Sequence, residues 1–410
     1  MWDCRFRAHS RDAGNTTVTM GAALIVIFSL CACGGGGQSS SFVPPSAAGA
    51  AQAAAPAQNA QSLTSSSWSN GQQIPAAFVD QAFGASGPFY QQLSENPQVD
   101  GNSANVISYY FAGNPQFSAG WIEGSSSQAQ YDYNFPLYRA STSDPLVKII
   151  CTGEASCADG DAQIRIPASA RQAGGTDHHL AVLESNGLEY DFWGVSSSPP
   201  YADGSTISTA GEAHFSLSGG SGGGTGYIAP GFAVGAATAG GNALSIGQVY
   251  TSELASGVIK HALSLTFPCG TSSWLYPSSQ ISGVCGSGQG MPLGSRVWWQ
   301  PSDAQTNGLS IARDMKTILI ALHHYGGFYT DSFGGTTNGY GKGMGTRLEN
   351  QEQYWVYGNG FDPALAYAQS AGWNHITGGV DRYVLAVSGA SIDLLDNLKV
   401  VAPCVTQGIC

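Results

Sequence analysis

The sequence predicts a mainly β domain, a jelly roll or β-sandwich, with one amphipathic helix. Three observations carry that expectation. Short alternating segments recur between clusters of Gly, Pro, Asn and Ser. An Asn186-Gly187 pair sits between two of them, a strong local sign of a hairpin. The chain is also glycine-rich and charge-poor, with 56 Gly and 10% charged residues in 410, which suits short strands joined by long turns.

The strand candidates are Asn105–Phe111, Tyr131–Arg139, Leu146–Cys151, Ala162–Ile166, His178–Glu184, Leu188–Gly194, Ala213–Leu217, Ile259–Phe267, Ser295–Gln300, Gly327–Phe333, Tyr354–Tyr357 and Tyr383–Ser388. A two-residue turn at Asn186-Gly187 pairs Glu184 with Glu189, Val182 with Asp191 and Leu180 with Trp193. Residues alternate between faces along a strand. One face then carries His179, Ala181, Leu183, Tyr190 and Phe192 and reads as core. The other carries His178, Glu184, Glu189, Asp191 and Trp193, and reads as the floor of a polar ligand groove.

The helix is expected over Ile311–Tyr325, where Ile311, Met315, Ile318, Leu319 and Leu322 recur at helical spacing before Gly326-Gly327. Shorter helices are expected over Gln248–Ala255 and Pro363–Ser370. Gly334–Gly372 lacks a clear period and reads as a long loop of the functional or disordered kind.

The N-terminus carries Arg5, Arg7 and Arg11, then an apolar run from Met20 to Leu30, too short for a stable membrane span. Leu30-Cys31-Ala32-Cys33 resembles the lipobox of bacterial lipoproteins. The resemblance implies a signal peptide with its lipobox over residues 1–33, and lipidation at Cys33. No Asp follows Cys33, which in such lipoproteins implies the outer membrane. Residues 34–70 are Gly, Ser, Ala, Pro and Gln with almost no charge, the composition of a flexible tether. A single domain is expected over 71–410. The only contact with membrane is expected through the lipid.

The formal charge is −12. An acidic chain without a basic patch repels phosphate backbones, so nucleic-acid binding is excluded from the expected functions. Six cysteines follow the leader in three close pairs, Cys151/Cys157, Cys269/Cys285 and Cys404/Cys410. In an exported protein these read as disulfide staples between sequence neighbours. Their spacing makes no zinc framework, and there is no His-Glu-x-x-His. No cofactor is expected beyond structural calcium, for which Asp159-Gly160-Asp161 offers a short loop.

Hydrolysis of a glycosidic bond takes one protonated and one ionised carboxyl. Glu189 and Asp191 are two apart on one strand and project to one face, with Cα atoms about 7 Å apart. Glu189-x-Asp191 loosely resembles the Glu-x-Asp-x-x-Glu strand of jelly-roll glucanases, although Gly194 stands where the third carboxylate belongs. Cleavage of a uronic-acid polymer by elimination instead needs a base, which His178 can supply, and an acid, for which Tyr325, Tyr329 and Tyr354 are candidates. His261, on an apolar strand face, reads as core. His323 and His324 read as helix C-terminal residues.

Trp193 and Trp373 stand beside polar residues and are the aromatic platforms expected to be exposed. Asp331 and His375 complete the expected ligand-binding set. In the order of its landmarks, Ser67-Trp68-Ser69-Asn70, Asp177-His178-His179, Tyr190-Asp191-Phe192-Trp193 and His323-His324-Tyr325-Gly326, the chain resembles a loose group of uncharacterised secreted bacterial proteins. That resemblance implies one extended domain and names no activity. The expected function is an envelope carbohydrate-active protein. It is read as a polysaccharide-cleaving glycoside hydrolase or lyase using Asp177, His178, Glu189 and Asp191. The alternative is a non-catalytic glycan-binding or adhesion lipoprotein.

Overall fold

The computed structural model describes residues 68–76, 87–113, 116–152, 157–217, 237–281, 283–285, 288–333 and 342–406. All of them belong to one compact unit, Ala57–Cys410. The leader, Cys33 and most of the tether lie outside the described residues, as does Cys410. The packed body reaches back into the expected tether, because Trp68 is buried and the Asn70 side chain brackets Arg139 through both backbone atoms of that residue. Among the described residues no helix is long and apolar enough to cross a membrane.

Strand outweighs helix, as expected, and the strands form three sheets. The first contains β1 (Gln116–Glu123), β9 (Leu263–Phe267), β10 (Arg296–Trp299), β11 (Gly327–Ser332), β12 (Met344–Thr346), β13 (Asn374–Ile376), β14 (Arg382–Ser388) and β15 (Leu398–Val400). Its order is β13-β14-β1-β12-β9-β11-β10-β15, with β1/β12 and β9/β11 parallel. The second runs β2 (Leu137–Arg139), β5 (Leu180–Leu183), β6 (Leu188–Trp193), β8 (Gly211–Ser216). The third runs β4 (Gln163–Arg165), β3 (Leu146–Cys151), β7 (Thr206–Thr209).

The four-stranded sheet is covered on both faces. Ala181, Leu183, Ala213 and Phe215 share a core with Phe328 of β11. Leu180, Val182, Tyr190 and Phe192 share another with Val147, Ile149, Ile164 and Ile207 of the three-stranded sheet. This double burial explains why β5 reads as an unbroken apolar run. It also removes the open groove face that the sequence reading assigned to the hairpin.

The helices are α1 (Ser103–Phe111), α2 (Thr251–Ser256), α3 (Asp303–Asn307), α4 (Arg313–His324), α5 (Glu352–Tyr357) and α6 (Pro363–Ser370) among the longer ones described. The expected long helix is α4, which buries Met315, Ile318, Leu319 and Leu322. The Pro363–Ser370 helix keeps its expected bounds, with Asp362 accepting from Leu365 N as its N-cap.

Two expected strands are helices instead. In α1 the buried residues are Ser103, Val106, Ile107, Tyr110 and Phe111, a helical spacing hidden by β-branched and aromatic residues that favour strands in isolation. Tyr354–Tyr357 belongs to α5. The stretch read as a long loop supplies β12, α5 and α6. The central strand β1 was not expected at all. The staples Cys151–Cys157 and Cys269–Cys285 are formed as expected.

Candidate functional site

The hairpin around Asn186 exists, but its register differs from the expected one by one residue. Glu184 N donates to Leu188 O at 2.8 Å and Gly187 N to Glu184 O at 3.1 Å, so the loop is Ser185-Asn186-Gly187. Gly187 has φ +85° and Asn186 Oδ1 accepts from Leu188 N, the pattern of a three-residue loop with a glycine bulge. Leu183 therefore pairs with Glu189, Ala181 with Asp191 and Leu180 with Phe192. The one-residue slip moves Glu189 and Asp191 onto the face of Ala181 and Leu183, towards the eight-stranded sheet.

Both carboxyls are fully buried there. Asp191 Oδ2 accepts from Leu244 N at 2.7 Å, and Glu189 accepts from Ser245 N at 2.9 Å and Ser245 Oγ at 2.5 Å. Burial pushes Asp191 well above the ordinary carboxylate range, and the charge of Glu189 adds to it. Burial also raises Glu189, against hydrogen bonds from Asp191 and Ser245. The charge of each carboxyl disfavours ionisation of the other, so the two do not ionise independently. Arg347, itself buried, pairs with Asp331 at 3.3 Å and its charge acts on Asp191. This pair faces backbone amides of the 242–248 segment rather than a cleft. The expected groove floor is thus an internal polar network.

Gly194, where the glucanase-like pattern places a third carboxylate, has φ +67°, and a Cβ there would lie 2.6 Å from Ala210 Cβ. A longer side chain does not fit.

The remaining expected residues disperse. Trp373 is core: it is 6% exposed and donates from Nε1 to Asp314 Oδ2 at 2.7 Å. Trp193 is half-buried against the core behind Glu189. Asp331 accepts from Ala239 N at 2.8 Å and is held by Arg347. His375 is exposed, bonded to Asp381 Oδ1 at 2.7 Å and stacked on Tyr383 at 4.2 Å. His261 precedes β9 and bonds Glu253 at 3.1 Å in the interior. His323 bonds the Trp299 carbonyl at 3.0 Å, and His324 pairs with Asp303 at 3.0 Å, so each ties α4 to a neighbour.

His178 alone among the four expected catalytic residues lines an open cleft. It precedes β5, in the left-handed region at φ +45°, where non-glycine residues cost energy and often serve function. The cleft has a volume of about 320 Å³ and is walled also by Arg171, Gln172, Gly174, Ser198 and Pro199. His178 Nδ1 lies 3.2 Å from Ala173 O. A carbonyl only accepts, so Nδ1 carries the proton and Nε2 of the neutral ring is left as the base. Tyr133, 44% exposed, packs its ring over Gly175 beside this cleft. Asp177 adjoins through the backbone, its carbonyl accepting from Gly194 N. His179 is turned inward, with Nε2 at 2.9 Å from Ala237 O, and burial keeps its pKa low.

A larger groove of about 580 Å³ runs along α1 and is lined by Asn102, Asn105, Ser108, Tyr109 and Gln289. No expected site residue lines it. Sequence reasoning also missed the buried run Arg347, Glu349, Asn350, Gln351, Glu352 and Gln353. Its signal was the density of polar residues there in a chain otherwise poor in charge. Burial pushes both Glu349 and Glu352 up to about 7.

No family model, no curated protein and no solved structure matches this chain.

Proposed function

We propose that the protein is an outer-membrane, lipid-anchored carbohydrate-active protein that takes an acidic polysaccharide at the His178 cleft and cleaves it by elimination. The observation that carries this reading is the orientation of His178, whose Nδ1 is committed to a carbonyl and whose Nε2 is free to act as base. Arg171 in the same wall suits neutralisation of a uronate carboxylate. Tyr133, exposed and packed over Gly175, is the phenol assigned to protonate the leaving oxygen, in place of Tyr329 and Tyr354, which are fully buried, and of Tyr325, whose oxygen accepts from Gln92. The base takes the proton next to the carboxylate, the glycosidic C–O bond breaks, and a double bond forms in the sugar. Two-carboxylate hydrolysis loses support, because Glu189 and Asp191 face the interior. The sheets sharing cores on both sides of the second sheet support a sandwich-like reading of the body.

A second reading, glycan binding without cleavage, rests on the α1 groove, whose amides and Tyr109 match the needs of a lectin. Residues 65–410 incubated with uronic and neutral polysaccharides separate the two. Ultraviolet absorbance of unsaturated uronates that disappears in His178→Ala supports elimination. Glycan retention without new absorbance or reducing ends, lost in Asn105→Ala, moves the binding reading to first place.

A further inference from the structure

We infer that Asp159, Glu212 and His214 form a binding site for a divalent cation of the zinc class, independent of the His178 cleft. Glu212 and His214 lie two apart on β8, an edge strand of the four-stranded sheet, and therefore project to one face. That face is the one turned to the three-stranded sheet, since they pair with Phe192 and Tyr190. Asp159 is brought to them by the stapled loop. Cys157, bonded to Cys151, bridges to Glu212, and Ala158 N donates to Glu212 O at 3.1 Å.

One ligand atom from each of the three residues lies within 4.8 Å of the other two. His214 Nδ1 is 3.2 Å from Asp159 Oδ2 and 3.7 Å from Glu212 Oε1. Metal–ligand bonds of about 2.0–2.1 Å at tetrahedral angles separate donors by about 3.3 Å. The second observation concerns Glu212 itself. Its side chain is fully buried, its Oε2 accepts from Asp159 N at 2.7 Å, and its Oε1 has no hydrogen-bond partner. A buried carboxylate oxygen aimed at an imidazole and a second carboxylate, and left short of a donor, calls for a cation.

The donor set selects the ion. One imidazole and two carboxylates suit zinc, with water in the fourth position, whereas calcium takes six to eight oxygens at longer bonds. The expected calcium loop is also divided, because the Asp161 carboxylate pairs with Lys148 at 2.8 Å instead. A bound ion would clamp the stapled loop onto the sheet edge.

The test titrates chelator-stripped purified protein with zinc chloride by calorimetry, with cobalt(II) absorbance as a second readout that does not depend on stability. One equivalent of zinc is expected, with a raised unfolding temperature and a cobalt band of a four-coordinate site. Affinity should fall at least about tenfold in His214→Gln and in Glu212→Gln, and stay unchanged in Asp161→Ala. The proposal is overturned by zinc that neither binds nor shifts unfolding, which would leave an imidazole–carboxylate ion pair only. Wild-type affinity in His214→Gln, or calcium bound in preference to zinc, would also overturn it.

Discussion

The two faces of the β6–β8 strand pair carry the same kinds of group and treat them differently. On the face towards the eight-stranded sheet, Glu189 and Asp191 receive the Leu244 and Ser245 amides and the Ser245 hydroxyl. On the opposite face, Glu212 has one oxygen bonded to Asp159 N and one oxygen 3.7 Å from the nearest imidazole nitrogen, too far for a hydrogen bond. A buried acid whose lone pairs are met by a neighbouring segment is architecture. A buried acid whose unpartnered oxygen also faces an imidazole and a second carboxylate marks a place where a cation can bind. Carboxylate spacing along a strand cannot make that distinction, because it says nothing about the partner on the other side.

The largest way to break this contrast is Asp191→Ala. It orphans the buried Leu244 N–H and removes a carboxylate whose charge acts on Arg347. A cost of about 3 kcal/mol is expected in urea unfolding. His214→Ala in metal-free protein should cost less than about 1 kcal/mol, because that side chain is partly exposed. Equal costs would sink the distinction between the two faces.

The next effect is pH-dependent. Glu352 is buried, its Oε2 lacks a partner, and its pKa is raised to about 7 from an ordinary 4.5. The folded protein holds this proton more tightly than the unfolded chain. The stability tied to the protonated form is therefore full below about pH 4.5 and is lost as pH rises through 7. Glu352→Gln keeps the shape without the charge and should gain about 2 kcal/mol at pH 8 and almost nothing at pH 4. A pH-independent difference between the two proteins would refute the assignment.

The smallest effect sharpens the reading of the cleft. His178→Gly relieves a left-handed backbone while removing the ring and its bond to Ala173. Stability should stay within about 0.5 kcal/mol of the parent, while glycan-dependent absorbance disappears. A large loss of stability would make His178 a structural residue.

Much of the local structure was legible. The helical spacing of Met315, Ile318, Leu319 and Leu322 anticipated α4, and the expected helix over Pro363–Ser370 is α6. The close cysteine pairs at 151/157 and 269/285 anticipated the staples. The Asn186-Gly187 pair located a hairpin but not its register. Two- and three-residue loops both accept glycine at 187, and the choice shifts every side chain of β6 against β5. Trp373 shows the same limit: an indole beside Asn and His looks exposed until Asp314 of α4 is found to receive its N–H.

By itself the sequence determined where the chain turns, the helices α4 and α6 and which cysteines lie close enough to join, because these follow from φ preferences, apolar period and short loops. Only the tertiary structure decided which carboxylates were satisfied, since the partners come from segments 50 or more residues away. Leu244 and Ser245 reach Asp191 and Glu189, and Asp159 reaches Glu212. Hydrogen bonds to a buried charge have strict geometry, and that geometry exists only once the sheets are stacked.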